Sequence, residues 1–318
     1  MSFVQHFRMK RTTFQHILAL IGNKIGVKKR CLSERAQLQL ALSLDNQIKI
    51  TNRTALSSIK GVTQALLTLA PSIISWPSGE DFDNVRKGFN ELGLPGAIGI
   101  LGSTHIRTLQ SIRKGEEYIF KESFSNVILQ AVCDHNLKFT HCYLREGGLG
   151  QNATVLQKSE LWKFMNKDSE AKFPDDTYII GDKTYPCLLQ LITPYEAIGN
   201  LSAEERQFNN LLSLKGNGIA NAFNLLQERF RCLKGILDLK NTTWARKYII
   251  ACCVLHNICI MLDDVMEIDG SLYWHNSSYE VEADTKNING LLLTLGVQKR
   301  DEMCTKLFNN SCKQILNC

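Results

Sequence analysis

Asp182 holds the clearest chemical position in this chain. It follows the buried run Thr177-Tyr178-Ile179-Ile180 and ends it at Gly181-Asp182, and the ends of strands in open α/β sheets are where ligand-binding groups are presented. A carboxylate there could bind a hard divalent cation. Cleavage of a phosphodiester through two magnesium ions needs several such carboxylates, converging on cations roughly 3.5–4 Å apart. A strand-end Asp is also a good turn former, so the chemical reading requires partners. Asp134, Glu196, Glu204 and Glu205 are the carboxylates a fold could bring to it.

Two Cys/His constellations have metal-like spacing. Cys133, His135, His141 and Cys142 place two ligand types on each arm of a hairpin, but side chains alternate between faces along a strand, which works against a zinc quartet. Cys252, His256 and Cys259 recur at steps of four and three along one helix face. The plain alternative is a buried His among small apolar Cys residues in a core helix.

The elements that must position Asp182 are legible in outline. Residues 1–85 read as helices, with apolar stripes through 14–25, 38–44 and 59–69; Ser33, with Glu34 and Gln37 after it, caps the second. Residues 51–70 are expected to hold a helix-turn-helix pair, Ser57 or Ser58 opening a recognition-type helix with Lys60, Thr63 and Gln64. Pro71, Pro77 and Gly79 break the helical pattern, and after Pro95 the chain changes character. An apolar run at 96–106 and two runs at 125–133 and 137–143, flanking the turn Asp134-His135-Asn136, read as strand and hairpin. A further strand at 177–180 leads to Asp182. Helical stretches follow at 203–237, interrupted near Gly216 and Gly218, and at 241–262, with a polar tail from 263 and a last helix near 299–307. This order predicts an α/β core with helices packed on a sheet.

Composition narrows the class. With 318 residues and 44% hydrophobic content, the chain can bury a sizeable core plus a smaller satellite. It has no run of eighteen uninterrupted apolar residues and no secretory leader pattern, so an intracellular protein is expected. Eleven cysteines at irregular spacing fit reduced thiols better than a disulfide framework. The net charge is +6, yet Arg8, Lys10, Arg11, Lys24, Lys28, Lys29 and Arg30 precede the first acidic residue. Such a local basic excess suits phosphate binding by counterion release, or forms an ordinary solvated face.

Short landmarks run along nearly the whole chain: Phe7-Arg8-Met9, Thr13-Phe14, Trp76-Pro77, Gly88-Phe89, Pro95-Gly96, Thr104-His105-Ile106, Gln130-Ala131-Val132-Cys133-Asp134, Gly181-Asp182, Tyr185-Pro186, Thr193-Pro194-Tyr195, Arg229-Phe230-Arg231-Cys232-Leu233 and Val254-Leu255-His256-Asn257-Ile258. In this order they resemble the Harbinger-type transposase-derived nucleases, which carry a DDE superfamily endonuclease domain. The resemblance implies a ribonuclease-H-like α/β core with an N-terminal helical, helix-turn-helix-like domain. It also implies an Asp-Asp-Glu triad, with magnesium or manganese as cofactor.

Carried over position by position, the triad is incomplete. The first acid, two residues before the Thr-His pair, falls on Gly102; the second is Asp182; the third falls on Ala220. The family's Pro-Gly-x-x-His-Asp turn corresponds to Gly147-Gly148-Leu149-Gly150-Gln151-Asn152, and the Arg usual before the Glu corresponds to Gly216. One carboxylate cannot fix two magnesium ions, so tight metal binding is not expected.

The expectation is therefore a retained fold with DNA or partner binding and a degraded phosphodiester-cleaving centre. The alternatives are an active endonuclease using Asp182 with substitute carboxylates, and an interaction scaffold that touches no nucleic acid. Arg8, Lys10, Arg11, Lys28, Lys29 and Arg30 are the candidate DNA contacts. The resemblance implies a Myb-like DNA-binding partner and a nuclear or cytoplasmic location. The expected domains are a helical head over 1–85, a nuclease-like domain over 86–262 and a tail over 263–318.

Overall fold

The computed structural model describes residues 3–25, 52–109, 124–146, 152–196, 200–237, 241–264, 285 and 288–316. The expected helix at 38–44 with its Ser33 cap, Lys28, Lys29, Arg30, the segment 147–151 and, in the tail, residues 265–284, 286, 287, 317 and 318 lie outside the described residues. Elements run in the order α1 (Phe3–Phe7), α2 (Arg11–Ile21), α3 (Asn52–Leu67), α4 (Ala70–Ile73), α5 (Glu80–Glu91), β1 (Ala97–Leu109), β2 (Phe124–Cys133), β3 (Phe139–Glu146), α6 (Asn152–Lys158), α7 (Glu160–Asn166) and α8 (Ser169–Lys172). They continue with β4 (Tyr178–Ile180), β5 (Leu191–Ile192), α9 (Ala203–Arg229), β6 (Ile236–Leu237), α10 (Thr242–Met261) and α11 (Gly290–Leu316). The strands form one mixed sheet in the order β3-β2-β1-β4-β5, with β6 also paired to β1. Strands β4 and β6 run parallel to β1, and β5 runs parallel to β4.

Local chemistry accounts for most boundaries. The hairpin turn between β2 and β3 is organised by Asp134, whose Oδ1 accepts the backbone N–H groups of Asn136 and Lys138, both at 2.9 Å. Leu137 there adopts a φ of +67°. Helix α9 opens on a reciprocal cap: the Ser202 Oγ accepts from the Glu205 N–H at 3.1 Å, and the Glu205 carboxylate accepts from the Ser202 N–H at 2.7 Å, which satisfies two otherwise orphaned donors. Asn241 caps α10 by accepting the Trp244 N–H, and Asn289 accepts the Leu291 N–H at the start of α11.

Two compact units emerge, and β1, β2 and α9 each contribute residues to both. In the first, α10 is the core helix, packed on α2, α3 and α4. Its residues Ala251 through Cys259 are all buried, which explains a stretch long and apolar enough to cross a membrane. Phe14, Ile17 and Ile21 of α2 and Val62, Ala65 and Leu66 of α3 are buried. The second unit holds the central part of the sheet, α5 through α8, most of α9, and α11. There α11 is tied down by Lys299, whose ammonium bonds Asp176 at 2.7 Å, and by Tyr195, whose hydroxyl donates to Asp301 while its ring stacks under Arg300 at 3.9 Å.

Four expectations are corrected. The helix-turn-helix break at Ser57 or Ser58 is absent, because α3 runs through both. Ser58 is small and buried, and with Val62, Ala65 and Leu66 it continues one helical stripe; Thr63 is buried too, while Lys60 and Gln64 are exposed. The interruption near Gly216 and Gly218 is also absent. A Cβ on Gly218 would lie 2.7 Å from Ile100 Cδ1, so this glycine serves close helix–strand packing. Residues 230–237 are not helical: a tight turn at Arg231–Leu233 leads into β6, which pairs with Arg107 and Thr108. The last helix is also longer than the stretch 299–307 read from the sequence.

Candidate functional site

Strand pairing assembles the centre. Ile100 of β1 lies opposite Ile180 of β4 in a parallel register. Beyond that pair β1 continues through Gly102, while Asp182 follows the end of β4 by two residues, after Gly181, whose N–H donates to the Ile192 carbonyl of β5. Helix α9 packs there through Gly218 on Ile100 and Ile219 on Gly102, and Ala220 is the next helical residue, half-buried. Of the three positions Gly102, Asp182 and Ala220, one holds an acid.

A neutral hydrogen-bonding chain surrounds that acid. Asp182 Oδ1 accepts the Thr184 N–H at 2.8 Å and the Thr184 hydroxyl. Asn152 Nδ2 donates to Thr184 Oγ1 at 2.6 Å, and the Ser103 hydroxyl donates to Asn152 Oδ1 at 2.7 Å. Behind them, fully buried Gln130 donates to the Tyr185 hydroxyl at 3.2 Å. Burial, and next the negative charge of Asp182, push the Tyr185 phenol far above its ordinary range, so it remains a neutral hydroxyl.

Sequence reasoning missed Ser103, Gln130, Thr184 and Tyr185 as parts of this centre. Asn152 carried a signal, since it stands where the family pattern has Asp. Gln130 and Tyr185 were visible only as members of landmarks, and Ser103 and Thr184 carried no signal beyond adjacency to Gly102 and Asp182.

The residues present do not fit a two-cation site. Ile219 fills the space a side chain at position 102 would take, and Ala220 brings a methyl group. The other carboxylates are engaged or distant. Asp134 is buried and bound to its own turn, with its carboxyl pushed up by burial. Glu205 is occupied at the α9 cap, and Glu204 and Glu205 precede Ala220 by roughly 22–24 Å of helix. Glu196 is exposed. Among the described residues, no three His, Cys, Asp or Glu side chains converge to hold a metal. His135 packs on Gly88 and Phe89, His141 packs edge-on to Phe164, and Cys252, His256 and Cys259 are buried in α10.

The basic N-terminus divides. The Arg8 guanidinium bonds the Glu228 carboxylate at 3.3 Å and its backbone carbonyl. The Lys10 ammonium is exposed and donates to the Asp263 carbonyl at 2.7 Å. Arg11 is exposed above the Phe3 ring.

Residues 101–257 match the family described as DDE superfamily endonuclease. The protein named "Antagonist of like heterochromatin protein 1" of Arabidopsis thaliana is 26% identical over 313 residues, covering 87% of this chain and 77% of that protein. "Protein ALP1-like" of the same plant is 25% identical, covering 96% of this chain and 82% of its own length. "Putative nuclease HARBI1" of Homo sapiens is 25% identical over 302 residues, covering 86% and 84%. No solved structure matches the chain. With the landmarks and these relatives in agreement, the chain belongs to the Harbinger transposase-derived nuclease family and carries its DDE superfamily endonuclease domain.

Proposed function

We propose that this protein keeps its family's fold and binds DNA without cutting it. The observation that carries the reading is the packing of Ile219 on Gly102. A site that still worked through two cations would need an anionic ligand at that point, because each cation requires fixed carboxylates in near-octahedral geometry. The Thr184 bonds to Asp182 agree, since they direct two donors at the oxygen a cation would use. Magnesium or manganese is accordingly not a tightly held cofactor in this reading.

The fold behind it is taken as ribonuclease-H-like, supported by the strand order β3-β2-β1-β4-β5 with β4 and β5 parallel and helices on the sheet. The nuclease-like domain is placed at 86–262, after a helical head over 1–85 and before a tail over 263–318. DNA binding rests on the family and on a head rich in Lys and Arg, with Lys10 and Arg11 exposed. A location in the nucleus, the cytoplasm or both, and a Myb-like DNA-binding partner, follow from the same resemblance.

The test incubates the purified chain with supercoiled and short duplex DNA at low salt with magnesium or manganese. Asp182→Ala is run alongside, with a restored variant carrying Gly102→Asp, Ile219→Ala and Ala220→Glu. The natural chain is expected to shift DNA and leave it intact, and the restored variant to nick it only with metal. Nicking by the natural chain that Asp182→Ala abolishes overturns the reading.

A further inference from the structure

Helices α2, α3 and α10 pack together in the first unit, and none of them contains an Asp or Glu. Among the described residues of that unit, the carboxylates are Glu228, Asp263 and Asp264, against twelve Lys and Arg. Glu228 is taken by Arg8 and Lys234, and Asp264 by Arg229 and the Lys10 N–H. Among the described residues, three carboxylates cannot neutralise twelve cations.

Two of these cations are held in a specific way. Trp244 lies half-buried in the first turn of α10. The Lys60 ammonium of α3 sits 5.1 Å from the Trp244 ring centroid, and the Lys247 ammonium 5.0 Å from it. Both distances are within the range of cation–π attraction. Lys247 is three residues beyond Trp244 and so on the same helix face; Lys60 reaches across from the neighbouring helix. Both lysines are exposed, and among the described residues neither is paired with a carboxylate. An indole that orders two ammonium groups without neutralising them leaves both charges for an anion outside the molecule. The first turn of α10, with its outward N–H groups, adds to the same positive field.

We infer that Lys60, Trp244 and Lys247 form a contact surface for the phosphate backbone of duplex DNA. The surface rests on the proposed DNA binding and gives it a location away from Asp182. The occupant fits by charge: among the described residues the surface is acid-free and cationic, and duplex DNA presents closely spaced phosphates whose neutralisation releases counterions. The contacts are to backbone, so the surface carries affinity and not sequence choice.

The test is a fluorescence anisotropy titration of a short labelled duplex at several salt concentrations. It uses the full chain, Lys60→Ala with Lys247→Ala, the charge-keeping pair Lys60→Arg with Lys247→Arg, and Lys172→Ala as control. Lys172 also lies over an aromatic ring, that of Phe164, in the other unit. Removing two phosphate contacts is expected to weaken binding and reduce the slope of log K against log salt by about 1.8, while the Arg pair keeps the natural slope and Lys172→Ala changes nothing. Thermal unfolding checks that each variant is folded. A double-Ala variant with the natural affinity and slope overturns the surface and leaves DNA binding standing, as does an equal slope loss in Lys172→Ala. A natural chain that binds no duplex at any salt overturns both the surface and the reading beneath it.

Discussion

Ile219 Cγ2 lies 2.9 Å from the point where a side chain on Gly102 would place its first carbon. The Cγ2 methyl and the Cγ1 methylene of Ile219 occupy the space that the Cβ of a side chain at position 102 would need. Gly102→Asp alone is therefore expected to lower stability by about 1–3 kcal/mol through overpacking, with an added cost from the charge beside Asp182. Combining it with Ile219→Ala should recover part of that loss, a non-additivity that urea denaturation of the two single variants and the double variant measures. Strictly additive losses would mean that the two residues do not compete for space.

The chain from Ser103 through Asn152 and Thr184 to Asp182 links β1, the start of α6 and the segment after β4. Thr184→Val removes a hydroxyl that both donates to Asp182 and accepts from Asn152. Leaving the buried side of such a chain unsatisfied costs about 1–3 kcal/mol. Because Asn152→Ala breaks the same chain, a double-mutant cycle should give a coupling of about 0.5–3 kcal/mol. Zero coupling would show the two bonds to be independent.

Arg229 and Asp264 are each 3% exposed, and they pair at 3.4 Å. The guanidinium also donates to the Asp264 carbonyl at 2.6 Å and to the Arg8 carbonyl. Removing one member leaves a buried charge uncompensated, so Arg229→Ala is expected to destabilise the chain by about 3–5 kcal/mol. Arg229→Lys should recover little, because an ammonium cannot reproduce the forked donors. Denaturant midpoints of the two variants decide this.

His141 is buried, and burial lowers its imidazole to about 4; its Nδ1 has no hydrogen-bond partner. In the native state it stays neutral down to that pH, whereas in the unfolded chain it takes a proton near 6.5. The unfolded state thus binds more protons between those values, and stability contributed by the neutral ring falls as pH drops from about 6.5 to about 4. The whole window corresponds to about 3 kcal/mol. Unfolding free energies at both ends of it should differ less in His141→Gln than in the natural chain by that amount. Equal differences would assign the acid sensitivity to other groups.

Much of the sheet was legible because its signals are local. The buried run before Asp182, and the turn at Asp134 between two apolar strands, announce themselves through residue type and period, and both lie where the sequence places them. Helix α10 was legible for the same reason. Helix α9 was misread at Gly216 and Gly218, because a glycine that breaks a helix and one that admits a neighbouring side chain look alike until Ile100 is in view. Ser57 and Ser58 misled similarly: a serine can open a helix, or fill a small place in a core stripe, and only the packing on α10 selects the second.

By itself the sequence determined the family and singled out Asp182, because both rest on residue identity in a fixed order. Tertiary structure alone decided what surrounds that acid. Ser103, Gln130, Asn152 and Thr184 are far apart in the chain and meet only because the sheet sets β2, β1 and β4 side by side and the start of α6 comes to them. Likewise, Lys60 became a partner of Trp244 only when α3 packed on α10. Hydrogen bonds and packing act over a few ångströms of space, not over positions in the chain, so such relationships exist only once the fold has formed.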